Sequence, residues 1–212
     1  ECLAYYSWIF MALVLLLELF DLLTLKTGTL ILPFAPSPDK VMLTFALQFA
    51  EIMGALGSSL SLLWLGILIG LVTGVVSGTL IGWSHFCDYW VMGLLRIIGP
   101  IPSAVWIPIA MTVMPSSRAA CLFIISLAVW FPLTLMLGTA IRNTEKRYME
   151  VARCLGARKI QLFFRVMWPS ALPAFFDGMF MGLVSSFGAL VVVEMIGAQS
   201  GLGFIINWAK AW

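Results

Sequence analysis

Long apolar runs alternate with short polar joints along this chain. A helix rises about 1.5 Å per residue, so about 20 apolar residues cross a hydrocarbon core about 30 Å thick. Residues 1–25 form a first such run, uncharged from Cys2 to Leu17 and continuing past Glu18 and Asp21. A second, residues 58–83, lies inside a stretch from Ile52 to Ser84 that holds no Lys, Arg, Asp or Glu. Residues 91–114, which include Arg96, then 119–141 and 173–194 complete the pattern. The pattern predicts an all-α polytopic membrane protein with five spans. Residues 195–212, too polar and too short to cross again, are expected to form an external segment.

The joints carry their own signals. L-P-F-A-P-S-P-D-K at residues 32–40 reads as a proline stop followed by a helix start. Ser37 suits the N-cap and Pro38 the first helical position, where a missing N–H costs nothing. Val41, Met42, Phe45, Phe49, Ile52, Met53 and Leu56 follow at helical spacing, which predicts an interfacial helix over 37–57. In the second span Gly66, Gly70, Gly74, Gly78 and Gly82 fall at every fourth residue. Small residues at that spacing let helices approach closely in lipid. The row drifts by about 40° per step, so it is expected to meet more than one neighbour.

The third span contains Pro100, Pro102 and Pro108, with Pro115 just after it. Interior prolines free carbonyls, and broken backbone at membrane depth lines protein or water. On that basis Ser103 and Trp106 are candidates to face a transport pathway, with a simple kink as the alternative. Ser185 and Ser186 offer mid-span hydroxyls to a solute or to a neighbouring helix, and Glu194 stands at the end of the fifth span. Asp177 is expected in a first helical turn after Pro173, where an acid suits the helix dipole. Asp88 and Arg96 can snorkel or pair near a membrane edge.

Composition sharpens the class. Of 212 residues, 62% are apolar and only 10% charged, with mean hydropathy +1.05, which excludes a water-soluble globule. The net charge of +2 is too small to point to nucleic acid, and His85 is the one histidine, so multi-histidine metal and catalytic clusters are excluded. Cys2, Cys87, Cys121 and Cys154 are too dispersed for a zinc or redox motif and are expected to be reduced, packed thiols. Seven of the twelve basic residues lie from Arg142 to Arg165 against Glu145 and Glu150, a local balance of +5. The positive-inside rule puts that loop, and by counting back the N-terminus, in the cytoplasm. The first run lacks an A-x-A cleavage site and reads as a retained span. The chain starts at Glu1 and stops at Trp212, and is expected to be the interior of a longer one.

Residues 144–169 give the clearest signal. Tyr148, Val151, Ala152 and Leu155 form one apolar stripe, and Ile160, Phe163, Phe164 and Met167 another, on either side of Gly156. Two short amphipathic helices follow, started at Thr144 and Glu145, joined at a left-handed glycine and stopped by Pro169. Helices this short are marginal alone, so they pack on their own spans or on another protein. E-V-A, three residues, Gly156, nine residues and V-M-W-P resembles the "EAA" loop of bacterial ABC-importer permeases, E-A-A-x3-G-x9-I-x-L-P. Val151, Val166 and Trp168 depart from it. The segment around Pro33–Val41, P-I-P-S-A-V-W-I-P-I from Pro100, and Glu194 with G-A-Q-S-G-L-G-F-I-I from Gly197 are similar to parts of nitrate/sulfonate/taurine-type permeases.

The resemblance implies a type I ABC importer permease fold in the bacterial inner membrane, with a sixth span beyond this chain. It implies a homodimer of permeases, a cytoplasmic ABC ATPase dimer and an external solute-binding protein as partners. Glu150, Ala152, Gly156, Val166, Trp168 and Pro169 would form the coupling element, and the solute would be a small anion, a sulfonate or a vitamin precursor. The chain has no G-x-x-x-x-G-K-[ST]; it is expected to bind no cofactor, ATP and Mg being used by the partner, and it shows no catalytic set. A passive channel, an anchor or assembly protein, and an energy-coupling-factor scaffold using Ala152–Arg153 are the other readings.

Overall fold

The computed structural model describes residues 38–210, preceded by helical positions at Met11, Val14–Leu16, Glu18 and Leu19; the expected first span, 1–25, otherwise lies outside the described residues. The elements are α1 (Pro38–Leu47), α2 (Phe49–Trp83), α3 (His85–Ile98), α4 (Ser103–Val113), α5 (Ser117–Arg142), α6 (Lys146–Cys154), α7 (Lys159–Ile196) and α8 (Leu202–Lys210), with no strand among the described residues. Three of them, α2, α5 and α7, are each long and apolar enough to cross a membrane, and α3 with α4 makes a fourth if that bent pair is one span.

The chain divides into two units, Glu1–Gly54 and Ala55–Trp212. In the first, α1 begins at Pro38 as its ring predisposes, and Val41, Met42 and Phe45 are exposed. The helical break falls at Gln48, not near residue 57 as the pattern suggests, so α2 is a single helix of 35 residues. Unbroken apolar sequence with no glycine–proline pair gives the backbone no reason to stop.

In the second unit α5 is the central rod. Each glycine of the α2 row faces it: a Cβ at Gly66 would lie 2.5 Å from Ile125, at Gly70 2.6 Å from the Ser126 carbonyl, at Gly74 2.9 Å from Leu133, at Gly78 3.2 Å from Leu137 and at Gly82 2.5 Å from Ile141. The row therefore meets one neighbour, contrary to the expectation of several. The reason is that the α5 partners also recur about every fourth residue in the same direction, so both rows drift together as the helices wrap. On its other side α5 takes Gly182 and Gly178 of α7 against Val129 and Leu133, in the antiparallel sense. Ile124, Ile125, Val129, Leu133, Leu137 and Ile141 are fully buried as a result.

Prolines explain the remaining departures. The expected span 91–114 is bent by 93° between α3 and α4, because Pro100 and Pro102 remove backbone donors at the turn that follows Gly99. The fifth span does not start at Pro173: α7 runs unbroken from Lys159 to Ile196. Pro169 does not stop it because Phe163–Met167 opens into a π turn, which gives the ring room against the preceding carbonyl. Asp177 consequently lies well inside α7, exposed, rather than in a first turn. Asp88 pairs with Arg142 across the junction of α3 and the end of α5. Thr144 does not cap α6; it is buried, donates to the Ile141 carbonyl at 2.9 Å and sits 3.1 Å from Ser170 Oγ, tying α5 to α7.

Candidate coupling surface and membrane cavity

The loop between α5 and α7 is built around Gly156. At the C-terminus of α6 the Gly156 N–H donates to the Arg153 carbonyl at 2.9 Å and the Ala157 N–H to the Ala152 carbonyl at 3.0 Å. This is the Schellman arrangement, which demands a left-handed residue one place beyond the cap; Gly156 has φ +80°. Among the described residues nothing lies within 4 Å of where its side chain would project, so within this chain the glycine answers a backbone demand rather than a close approach. The next helix starts with the Arg158 N–H donating to Gln161 Oε1 at 2.9 Å.

The two stripes separate in space. On α6 Tyr148, Val151 and Leu155 stand out into the open at 61%, 59% and 83% exposure, while Met149 and Ala152 turn inward. The second stripe is split by the π turn: Phe163 is buried between Trp83, at 4.8 Å between ring centroids, and Trp168, while Ile160 and Phe164 stay exposed. Of the six residues carried by the motif, Glu150, Gly156 and Pro169 are exposed; Ala152, Val166 and Trp168 are half-buried. A cavity of about 390 Å³ lies under α6, lined by Trp83, Met149, Arg153, Ala157, Lys159, Leu162 and Met167. Lys146, Arg147, Arg153 and Arg158 give this surface its positive charge. Cys154 also lies exposed on α6, so it is not the packed thiol expected; Cys121 is buried and Cys87 half-buried.

The pathway candidates do not form one site. Ser103, Trp106 and Ser185 line a common cavity of about 320 Å³ at the break between α3 and α4. Ser186 is fully buried and donates to the Leu183 carbonyl at 2.7 Å, away from it. Glu194, 2% exposed, accepts from the Gly203 N–H at 2.9 Å and so anchors the start of α8, beside Ser59, whose Oγ accepts from the Leu202 N–H. Glu194 Oε1 has no partner among the described residues.

Sequence reasoning missed the α5 wall of the cavity: Leu127, Ala128, Trp130, Phe131 and Pro132. Pro132 lies inside α5 and cannot bond the Ala128 carbonyl, so two proline-weakened stretches of backbone face each other there. The Trp130 indole N–H donates to Ser77 Oγ at 3.0 Å, and Ser77 Oγ lies 2.8 Å from Thr134 Oγ1. The tip of the Phe131 ring lies where a side chain at Gly99 would begin, so a larger residue there would have to displace the ring. The W-F-P triplet in the middle of a mostly aliphatic span was the available signal.

Residues 66–212 match the family described as the inner membrane component of binding-protein-dependent transport systems. The chain is 29% identical over 149 residues to a nitrate import permease of Synechocystis sp., covering 70% of this chain and 54% of that protein. It is 28% identical over 177 residues to a putative aliphatic sulfonates transport permease of Bacillus subtilis (82% and 64%). It is 29% identical over 170 residues to a formylaminopyrimidine transport permease of Halalkalibacterium halodurans (80% and 68%). It spans about half the length of the nitrate permeases it matches. With more than half of its residues matched, the chain belongs to the inner membrane component family of binding-protein-dependent transport systems, the membrane permeases of ABC importers.

Proposed function

We propose that this chain is the permease subunit of an ATP-driven importer of a small solute and that α6 with the Gly156 turn is where a cytoplasmic ATPase docks. The observation that carries this is the open apolar face of Tyr148, Val151 and Leu155, on a helix too short to stand alone, at the end of a membrane bundle. Such a face fits a hydrophobic groove, and the surrounding Lys and Arg residues suit an acidic rim. In this reading the excess of Lys and Arg keeps this end in the cytoplasm. In this reading two permease copies and two ATPases assemble; ATP closure draws the α6 helices together, and α5 and α7 carry the displacement to the break between α3 and α4. An external binding protein delivers the solute.

The experiment is capture of the ATPase through detergent. Val151→Glu with Leu155→Glu should abolish capture, and Gly156→Leu should uncouple ATP hydrolysis from transport while membrane insertion survives. Undiminished capture by the double variant refutes docking at α6, and no capture by the unsubstituted protein leaves a passive channel or an anchor as the reading.

A further inference from the structure

The cavity at the broken helix has a chemistry of its own. We propose that it is a solute-binding site within the permease and that it takes a flat, uncharged heteroaromatic ring. This rests on the reading of the chain as a solute permease and names the class of solute.

Three aromatic side chains, Trp106, Trp130 and Phe131, surround the space together with Pro102 and Pro132. Two of the rings are fixed. Trp130 is held by its indole bond to Ser77, and Phe131 lies against the bare backbone of Gly99. Rigid aromatic walls stack on any flat π face and lose little freedom when they do. About 320 Å³ is at the small end of ligand pockets, which run from about 300 to 1,000 Å³; it suits one substituted ring.

Charge decides against an anion. No Lys, Arg, His, Asp or Glu lines the cavity. Nitrate or a sulfonate taken there from water would give up its hydration with no counter-ion in return, which is costly at membrane depth. An organic cation would lack a carboxylate in the same way. Neutral polarity is provided instead by Ser103 and Ser185. Among the described residues their hydroxyls make no hydrogen bond, whereas those of Ser77, Thr134, Ser126 and Ser186 are engaged. Each free hydroxyl both donates and accepts, which matches a ring nitrogen or carbonyl on one side and an exocyclic amine on the other.

The test is equilibrium dialysis of labelled 4-aminopyrimidine against the full permease–ATPase complex in lipid nanodiscs, with nitrate and ethanesulfonate as competitors. Saturable binding that neither anion displaces is expected. Trp106→Ala should weaken it at least about ten-fold, the scale of a lost stacking contact, Trp106→Phe should largely retain it, and Ser185→Ala should weaken it by a smaller factor. Thermal melting of each variant shows whether it is folded. Absence of saturable binding, displacement by nitrate or ethanesulfonate, or unchanged binding by folded Trp106→Ala overturns the proposal. ATPase capture, read in the same preparation, is independent: its loss would count against the importer reading, while its survival alongside failed ring binding would overturn only the site.

Discussion

Gly70→Ala tests the packing of α2 on α5 most directly. The added Cβ would lie 2.6 Å from the Ser126 carbonyl oxygen, 2.7 Å from Val129 Cβ and 3.2 Å from Ser126 Cα. At Gly70 the nearest obstacle is a backbone oxygen, which no rotamer change can move, so the two helices themselves must separate. Overpacking of this kind costs about 1–3 kcal/mol, and the immobile carbonyl favours the upper part of that range. Alanine recovers about 1 kcal/mol in helix propensity, leaving a net loss of about 1–2 kcal/mol. For a chain of this size each kcal/mol moves Tm by about 2–4 °C, so melting in nanodiscs should occur about 2–8 °C lower. Gly188→Ala on α7 is the control, because nothing lies within 4 Å of its Cβ; it should melt at or above the unsubstituted protein. A Gly70→Ala protein as stable as Gly188→Ala would refute the account of the glycine row as a close-packing seam.

Three further outcomes are expected. Gly99→Ala drives a methyl group into the Phe131 ring, so it should lower Tm and abolish ring binding, and Phe131→Leu in the same chain should restore part of the stability. Glu194→Gln keeps an acceptor for the Gly203 N–H and should leave hydrogen exchange across Leu202–Lys210 unchanged, whereas Glu194→Leu should speed it by about the factor of ten that a lost hydrogen bond of about 1–1.5 kcal/mol implies. Deleting Val166 converts the π turn to regular helix and rotates Lys159–Leu162 by about 100° relative to the rest of α7; ATPase capture should fall sharply while ring binding persists.

What the sequence made legible, and what it did not, follows from the range of the interactions. The Gly156 turn was readable because a left-handed cap is a local demand, set by the residues it closes. The break at Gly99–Pro102 was foreseen as a weakness because proline acts on its own turn, though its angle was not, since that depends on what α3 and α4 pack against. The glycine row was visible, but its single partner was not: one helix cannot show that its neighbour carries the same period. Pro169 misled for a related reason. A proline stops a regular helix, and a π turn a few residues earlier leaves no mark in composition. Trp130 and Phe131 carry no local signal of a cavity wall: Phe131 packs against Gly99, some thirty positions away in the chain, and Trp130 bonds Ser77.

The two candidate sites are joined by one element. α7 begins at Lys159, directly after the Gly156 turn, and reaches Ser185 in the cavity without a break; at about 1.5 Å per residue that is a rod of about 39 Å. α5 runs beside it from Pro132, at the cavity, to Arg142, whose pairing with Asp88 and whose neighbour Thr144 bind the coupling end together. Gly178 and Gly182 hold the two rods in contact along the interval between the sites, so a displacement of one cannot be absorbed by sliding through a loose interface. Among the described residues two irregular stretches lie along this route, the π turn of Phe163–Met167 and the break between α3 and α4. The first sits between α6 and the rest of α7, where it sets the angle between them. The second sits at the cavity, where α3 and α4 have no continuous backbone ladder to resist being parted. If α6 docks an ATPase as proposed, a force applied there is delivered to the break between α3 and α4, and the cavity is the place expected to yield.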